Sequence, residues 1–172
     1  MSKTKKVVLA GLFLAMLIVL SRQLAIVKIS TLSISFGYVP IILSAMLLGP
    51  KWSTVIAGLG DLIGALLFPF GAFFPGYTLS ALLTGLIYGL FLYNETSDKK
   101  FIIKLIISNL IVLIFIHTGL TTLWITITAS KAFLVLLPTR AITALVMFPV
   151  QVSTMFLLKK GLEKPINKYL KD

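Results

Sequence analysis

Phe101-Ile-Ile-Lys-Leu-Ile-Ile-Ser-Asn-Leu-Ile-Val-Leu-Ile-Phe-Ile-His117-Thr-Gly-Leu-Thr-Thr-Leu-Trp124-Ile-Thr-Ile-Thr128 holds a single charged side chain, Lys104, in 28 residues. About 20 mostly apolar residues suffice for a helix to cross the hydrocarbon of a bilayer, so this run predicts a membrane helix. Five further apolar segments accompany it, at roughly 7–27, 36–49, 52–70, 77–93 and 134–158. The second is short and contains Gly37 and Pro40, so it is expected to be tilted, kinked or partly embedded. The predicted fold class is an all-α integral membrane protein, a bundle of six transmembrane helices. No linker, low-complexity stretch or clear repeat divides the chain, and one domain over residues 1–172 is expected.

Composition supports this. Of 172 residues, 58% are hydrophobic and 12% charged, with a mean hydropathy of +1.05, against ~45–50% and ~25% in soluble domains. In water such a chain would expose far larger apolar patches than soluble proteins tolerate. There are no cysteines, which excludes disulfides and thiolate metal sites. The start, Met1-Ser-Lys-Thr-Lys-Lys6, resembles the basic region of a signal peptide. The apolar run Val7–Leu20, however, leads into Ser21-Arg22-Gln23 and not into small residues suited to cleavage, so a retained first helix is expected.

The net charge of +11 has its explanation in topology. With both termini in the cytoplasm, the inner breaks hold Lys3, Lys5, Lys6, Lys51, Lys99, Lys100, Lys104 and the five lysines from Lys159 to Lys171. These are twelve of the sixteen basic residues, as the positive-inside rule requires. Lys28 and Lys131 fall outside. No exposed basic face with interleaved aromatics is visible, so nucleic-acid binding is not expected.

The only arginines, Arg22 and Arg140, then lie near the outer ends of the first and last spans. An arginine at membrane depth faces a cavity, pairs with a partner or snorkels to headgroups. Two at one depth on different helices suit an anionic ligand, because the guanidinium fork matches a carboxylate. Asp61 is the acidic residue deep inside a span, within Gly58-Leu-Gly60-Asp61-Leu-Ile-Gly64. It either accepts hydrogen bonds from an amino-substituted heterocycle or is a structural carboxylate paired with a buried donor. His117, the sole histidine, has no neighbours for a metal site; a packing hydrogen bond competes with a ligand contact there, as it does for Asn109.

On the fourth segment Ala81, Gly85 and Gly89 form a small-residue packing stripe, and Ser80, Thr84 and Tyr88 form a polar edge at the same spacing. Phe73-Phe74-Pro75-Gly76-Tyr77 introduces it; these aromatics either line a pocket for a flat ring or belong to an interfacial belt. The alternating stretch Lys28–Phe36 predicts an extended external loop or short strand; above the arginines it is either a lid over them or an ordinary loop. Gly11 and Ala15 form a small-xxx-small pair on the first helix. P-loop, paired carboxylates, nucleophile elbow and HExxH are all missing. The chain is therefore read as a binding protein and not an enzyme; a small membrane enzyme or a channel is the remote alternative. No cofactor is implied.

Leu20-Ser21-Arg22, Ile34-Ser-Phe-Gly37-Tyr38-Val-Pro40, Leu48-Gly49-Pro50, Asp61-Leu-Ile-Gly64, Phe74-Pro75-Gly76-Tyr-Thr-Leu-Ser80, Gly85-Leu-Ile-Tyr88-Gly89 and Pro138-Thr-Arg140 together resemble the substrate-binding S components of energy-coupling factor (ECF) importers. Within them the resemblance is to the folate-specific branch, over nearly the whole length. It implies high-affinity folate binding, and association with a membrane T component and two cytoplasmic ATPases that hydrolyse ATP. It also implies residence in the cell membrane. An S component for another anionic vitamin is the alternative. Gly11 stands where the family's docking motif has alanine, and Ala15 matches it. Thr121-Thr122 stand before Trp124 where the family tends to have Asn-Thr. The resulting expectation is a cavity among the first and the fourth to sixth helices. Arg22 and Arg140 hold ligand oxygens there, Phe74, Tyr77 and Trp124 pack the ring, and Asp61, Ser80, Thr84, Tyr88 and His117 stand nearby.

Overall fold

The computed structural model describes residues 2–23, 27–29, 32–69, 73–129 and 133–171, with side chains omitted at 27–29, 32–34, 129 and 162–171. The described residues form six helical bodies and one small hairpin. Helix α1 (Lys3–Ile18) is capped by Ser2, whose hydroxyl accepts from Lys5 N at 3.3 Å, and continues as a wider π-helical turn, Val19–Gln23. Strands β1 (Val27–Ile29) and β2 (Leu32–Ile34) then pair antiparallel, Lys28 opposite Ser33. The first span is thus as long as the expected 7–27 but lies four residues earlier, at Lys3–Gln23, and the alternating stretch makes strands. Hydropathy alone had carried the helix into the apolar residues that begin β1.

Helix α2 (Tyr38–Leu48) has 11 residues, about 16 Å of rise, and does not cross a bilayer alone. Gly37 caps it and Pro40 sits in its first turn, where a missing N–H costs nothing. Gly49, at φ 86°, makes the sharp joint to α3 (Pro50–Leu67), which starts with proline at its first position. Helix α4 (Pro75–Leu92) begins the same way. Then α5 (Asp98–Ile111), a second π-helical stretch (Val112–Leu120) and α6 (Thr121–Ala129) run as one body, followed by α7 (Phe133–Lys171). The lysine-rich tail is therefore helical well beyond the expected end at 158. Lysine, leucine and glutamate are good helix formers in or out of lipid; an apolar window sees only the part in lipid. Lys131 lies outside the described residues.

Four of these bodies are long and apolar enough to cross a membrane: Lys3–Gln23, Pro75–Leu92, Asp98–Thr128 and Phe133–Gly161. Their outward faces are apolar, with Leu134, Val135 and Leu145 each more than 70% exposed, an arrangement that only lipid or a partner tolerates. The core gathers on α1, α2, α4 and α5, around Phe13, Ile42, Tyr88, Leu92, Phe101 and Leu105. The α3–α4 seam is the closest. Gly85 lies against the backbone of Ser53, Gly89 against Pro50, and the Ser53 hydroxyl donates to the Gly85 carbonyl at 2.7 Å. The expected stripe thus divides: Gly85 and Gly89 pack on α3, while Ala81 faces the interior cavity.

Candidate functional site

A cavity of about 490 Å³ opens within the bundle, walled by all six helical bodies. The expectation of a site among the first and last three helices was too narrow, since α2 and α3 contribute Tyr38, Ile41, Ala57 and Asp61. Ser35, directly after β2, also lines it, so the hairpin end of the bundle and the cavity belong together.

Arg22 and Arg140 both line this one cavity. Arg22 is carried on the π turn of α1 and lies along α3 where Gly64 leaves room: a Cβ at 64 would stand 2.8 Å from its Nε. Its Nη2 donates to Asp61 Oδ1 at 3.1 Å and approaches the Asp61 carbonyl at 3.4 Å. Asp61 Oδ2 accepts from the Thr78 hydroxyl at 3.0 Å. Both carboxylate oxygens are thus engaged, and of the two readings of Asp61 the geometry displays the paired one. Such a pair holds a guanidinium at membrane depth with its charge offset. Arg140 Nη1 donates to the His117 carbonyl at 3.4 Å, tying α7 to the π-helical stretch.

His117 is among the residues lining the cavity. Asn109, for which a packing hydrogen bond is one of the two expectations, makes one: this fully buried amide accepts from the Tyr88 hydroxyl at 2.9 Å. Ser80, Thr84 and Tyr88 are buried and all line the cavity, as their spacing predicted. The Thr84 hydroxyl donates to the Ser80 carbonyl at 2.8 Å. Phe74 and Tyr77 are also on the wall, ring centroids 6.2 Å apart and edge to face. Tyr77 and Thr128 share a hydroxyl–hydroxyl contact of 3.1 Å that closes α4 onto α6. Trp124 is not on the wall. Its ring lies 5.5 Å from Phe74, in the space left by Gly76, and Nε1 donates to Ser80 Oγ at 3.0 Å. It supports the aromatic wall from behind.

Sequence reasoning missed Ser21, Tyr38, Thr143, Met147 and Gln151, which also line the cavity. For the last three a signal existed: Arg140, Thr143, Met147 and Gln151 recur at helical spacing on one face of α7. The arrangement can hold an elongated anion: two guanidiniums and one carboxylate near the hairpin, aromatic edges beside them, and neutral hydroxyl and amide groups further in.

The family model described as "ECF-type riboflavin transporter, S component" matches residues 1–163. The folate transporter FolT of Clostridium novyi (strain NT) is 32% identical over 150 residues, covering 87% of this chain and 85% of that protein. FolT of Leuconostoc mesenteroides subsp. mesenteroides is 34% identical over 160 residues, 90% and 84%. A crystal structure of FolT bound with folic acid superposes with a TM-score of 0.83 at 33% identity, covering 92% of this chain and 94% of that one.

Proposed function

The chain belongs to the S components of ECF-type transporters, and from that premise we propose that it captures folate from outside the cell for import. It is a multi-pass membrane protein and a transporter subunit, not an enzyme. The family model carries riboflavin in its description, whereas both curated relatives and the superposed structure carry folate. The chemistry of the cavity favours folate. Two guanidiniums on one cavity wall are forked donors matched to carboxylate oxygens, and riboflavin, being uncharged, has no carboxylate to give them. Folate brings a carboxylate-bearing tail for the guanidiniums and a flat pterin for the aromatic and hydroxyl wall.

The observation that carries this reading is the convergence of Arg22 and Arg140 on one 490 Å³ cavity. Titration of the purified chain in detergent with folate and with riboflavin, followed by tryptophan fluorescence and calorimetry, tests it. Saturable folate binding, with riboflavin at least ~100-fold weaker (about 2.7 kcal/mol), is expected; the reverse order would overturn the assignment.

In this reading the hairpin end faces outward and both termini face the cytoplasm, which places most of the lysines inside. Lacking a nucleotide site, the subunit depends on a membrane T component and two cytoplasmic ATPases for energy. The docking surface is the α1 face bearing Gly11 and Ala15. Both are exposed, and among the described residues no atom outside the helix comes within 4 Å of a Cβ built at Gly11.

A further inference from the structure

Gln151 lies on the cavity-facing side of α7, eleven residues beyond Arg140, which at 1.5 Å per residue is about 16 Å further along the helix. The residue is only 6% exposed, and its Oε1 is closed off with no hydrogen-bond partner among the described residues. A buried polar atom left without a partner is costly and rare. Thr84 and Tyr88 spend their cavity hydroxyls on partners within the chain, whereas Gln151 Oε1 and the Tyr38 hydroxyl have none among the described residues. Of these two cavity-lining groups, only the carboxamide offers an acceptor and a donor side by side, which suits a partner arriving from outside the chain.

Polar groups at the two ends of the cavity differ in kind. Toward the hairpin stand Arg22, Asp61 and Arg140, all ionic. Toward the far end stand Tyr88, whose proton is committed to Asn109, and Gln151, both neutral. A carboxamide presents a carbonyl acceptor beside an N–H donor, in one plane. Its natural complement is a heterocyclic edge with an amino group next to a ring nitrogen, the geometry by which glutamine and asparagine read adenine.

Resting on the folate reading above, we propose that Gln151 is a specificity-determining residue that receives the aminopyrimidine edge of the pterin at the far end of the cavity. The carbonyl accepts from the exocyclic amino group and the amide N–H donates to the adjacent ring nitrogen. The anionic tail then lies toward the arginines.

The test is a thermodynamic cycle on the full chain. Affinities are measured for folate and for an analogue whose ring amino group is replaced by methyl, in the unaltered chain, Gln151→Leu and Gln151→Met. The unaltered chain should prefer folate by about 10- to 100-fold, since a site built to hydrogen-bond a ligand rejects one lacking the group. In both variants that preference should collapse to within about twofold. A general packing defect would weaken both ligands together and leave the preference intact, and that result overturns the assignment. Methionine is unbranched and near glutamine in size, so it keeps the test usable should leucine disturb the helix. No folate binding by the unaltered chain would instead overturn the functional reading beneath it.

Discussion

Arg22 and Arg140 entered as equals from sequence, and the geometry separates them. Arg22 is fixed by Asp61, itself held by Thr78, so its removal leaves a carboxylate at membrane depth with its charge uncompensated. Breaking such a pair by losing one partner costs on the order of 3 kcal/mol. Arg22→Ala is therefore expected to lower both thermal stability in detergent and folate affinity. The double variant Arg22→Ala/Asp61→Ala should recover much of the stability but none of the affinity. Arg140→Ala, by contrast, should weaken folate by about 10- to 100-fold, as for one charge-assisted contact, with a smaller change in melting temperature. A double variant as unstable as Arg22→Ala alone would show that the ion pair is not what holds Arg22. No spacing rule announces this pairing: residues 22 and 61 lie on different helices, and only the packing of α1 on α3 brings them together.

At the scale of elements, the six apolar segments, the shortness of the second and the polar edge Ser80–Thr84–Tyr88 were legible because hydropathy and helical periodicity encode them directly. Facing was legible only where the period held. The π-helical turns at Val19–Gln23 and Val112–Leu120 each insert residues into the turn, and one extra residue rotates the remainder of the helix by about 100°. Arg22 and His117 sit inside these stretches, so a 3.6-residue wheel could not state which way they point. The division of the Ala81–Gly85–Gly89 stripe was hidden for a related reason: identical spacing does not say which neighbour each residue meets. Space at the glycines yields a graded prediction. A methyl at Gly85 meets the backbone of Ser53, which cannot yield, whereas one at Gly58 meets the end of the Leu82 side chain, which can. Gly85→Ala should lower the melting temperature several-fold more than Gly58→Ala, in line with the ~1–3 kcal/mol cost of overpacking; equal losses would mean the seam is looser than drawn. The turn between α4 and α5 carries a pH signature. Lys104 Nζ donates to Glu95 Oε2 at 2.5 Å and holds that carboxyl below its ordinary value. A depressed carboxylate stabilises the fold above its unfolded pKa and loses that contribution as pH falls through the folded one. Between neutral pH and about pH 3, the native chain should therefore lose more stability than Glu95→Gln. Parallel pH profiles for the two would contradict it.

For the whole molecule, the decisive feature is that α1 has two faces with separate duties. Ala10, Phe13 and Leu17 are buried in the bundle, and Ser21 and Arg22 continue toward the cavity. Gly11 and Ala15 lie on the outward side, beside the exposed Val8, Leu12 and Val19. Small residues four apart flanked by larger ones make a shallow groove where another helix approaches closely, and lipid does not require such a groove. If the T component docks there, filling the groove should stop transport without touching the ligand site. Ala15→Trp is expected to bind folate with unchanged affinity in detergent. Reconstituted in vesicles with its T component and ATPases, the same variant should show ATP-driven folate uptake near background and lose co-purification with the T component. Leu12→Trp, which enlarges a residue that is already large at the groove's margin, should impair uptake less. Undiminished uptake by Ala15→Trp would move the docking surface to another helix. Loss of folate binding would instead mean that the two faces of α1 are coupled through the π turn below Ile18.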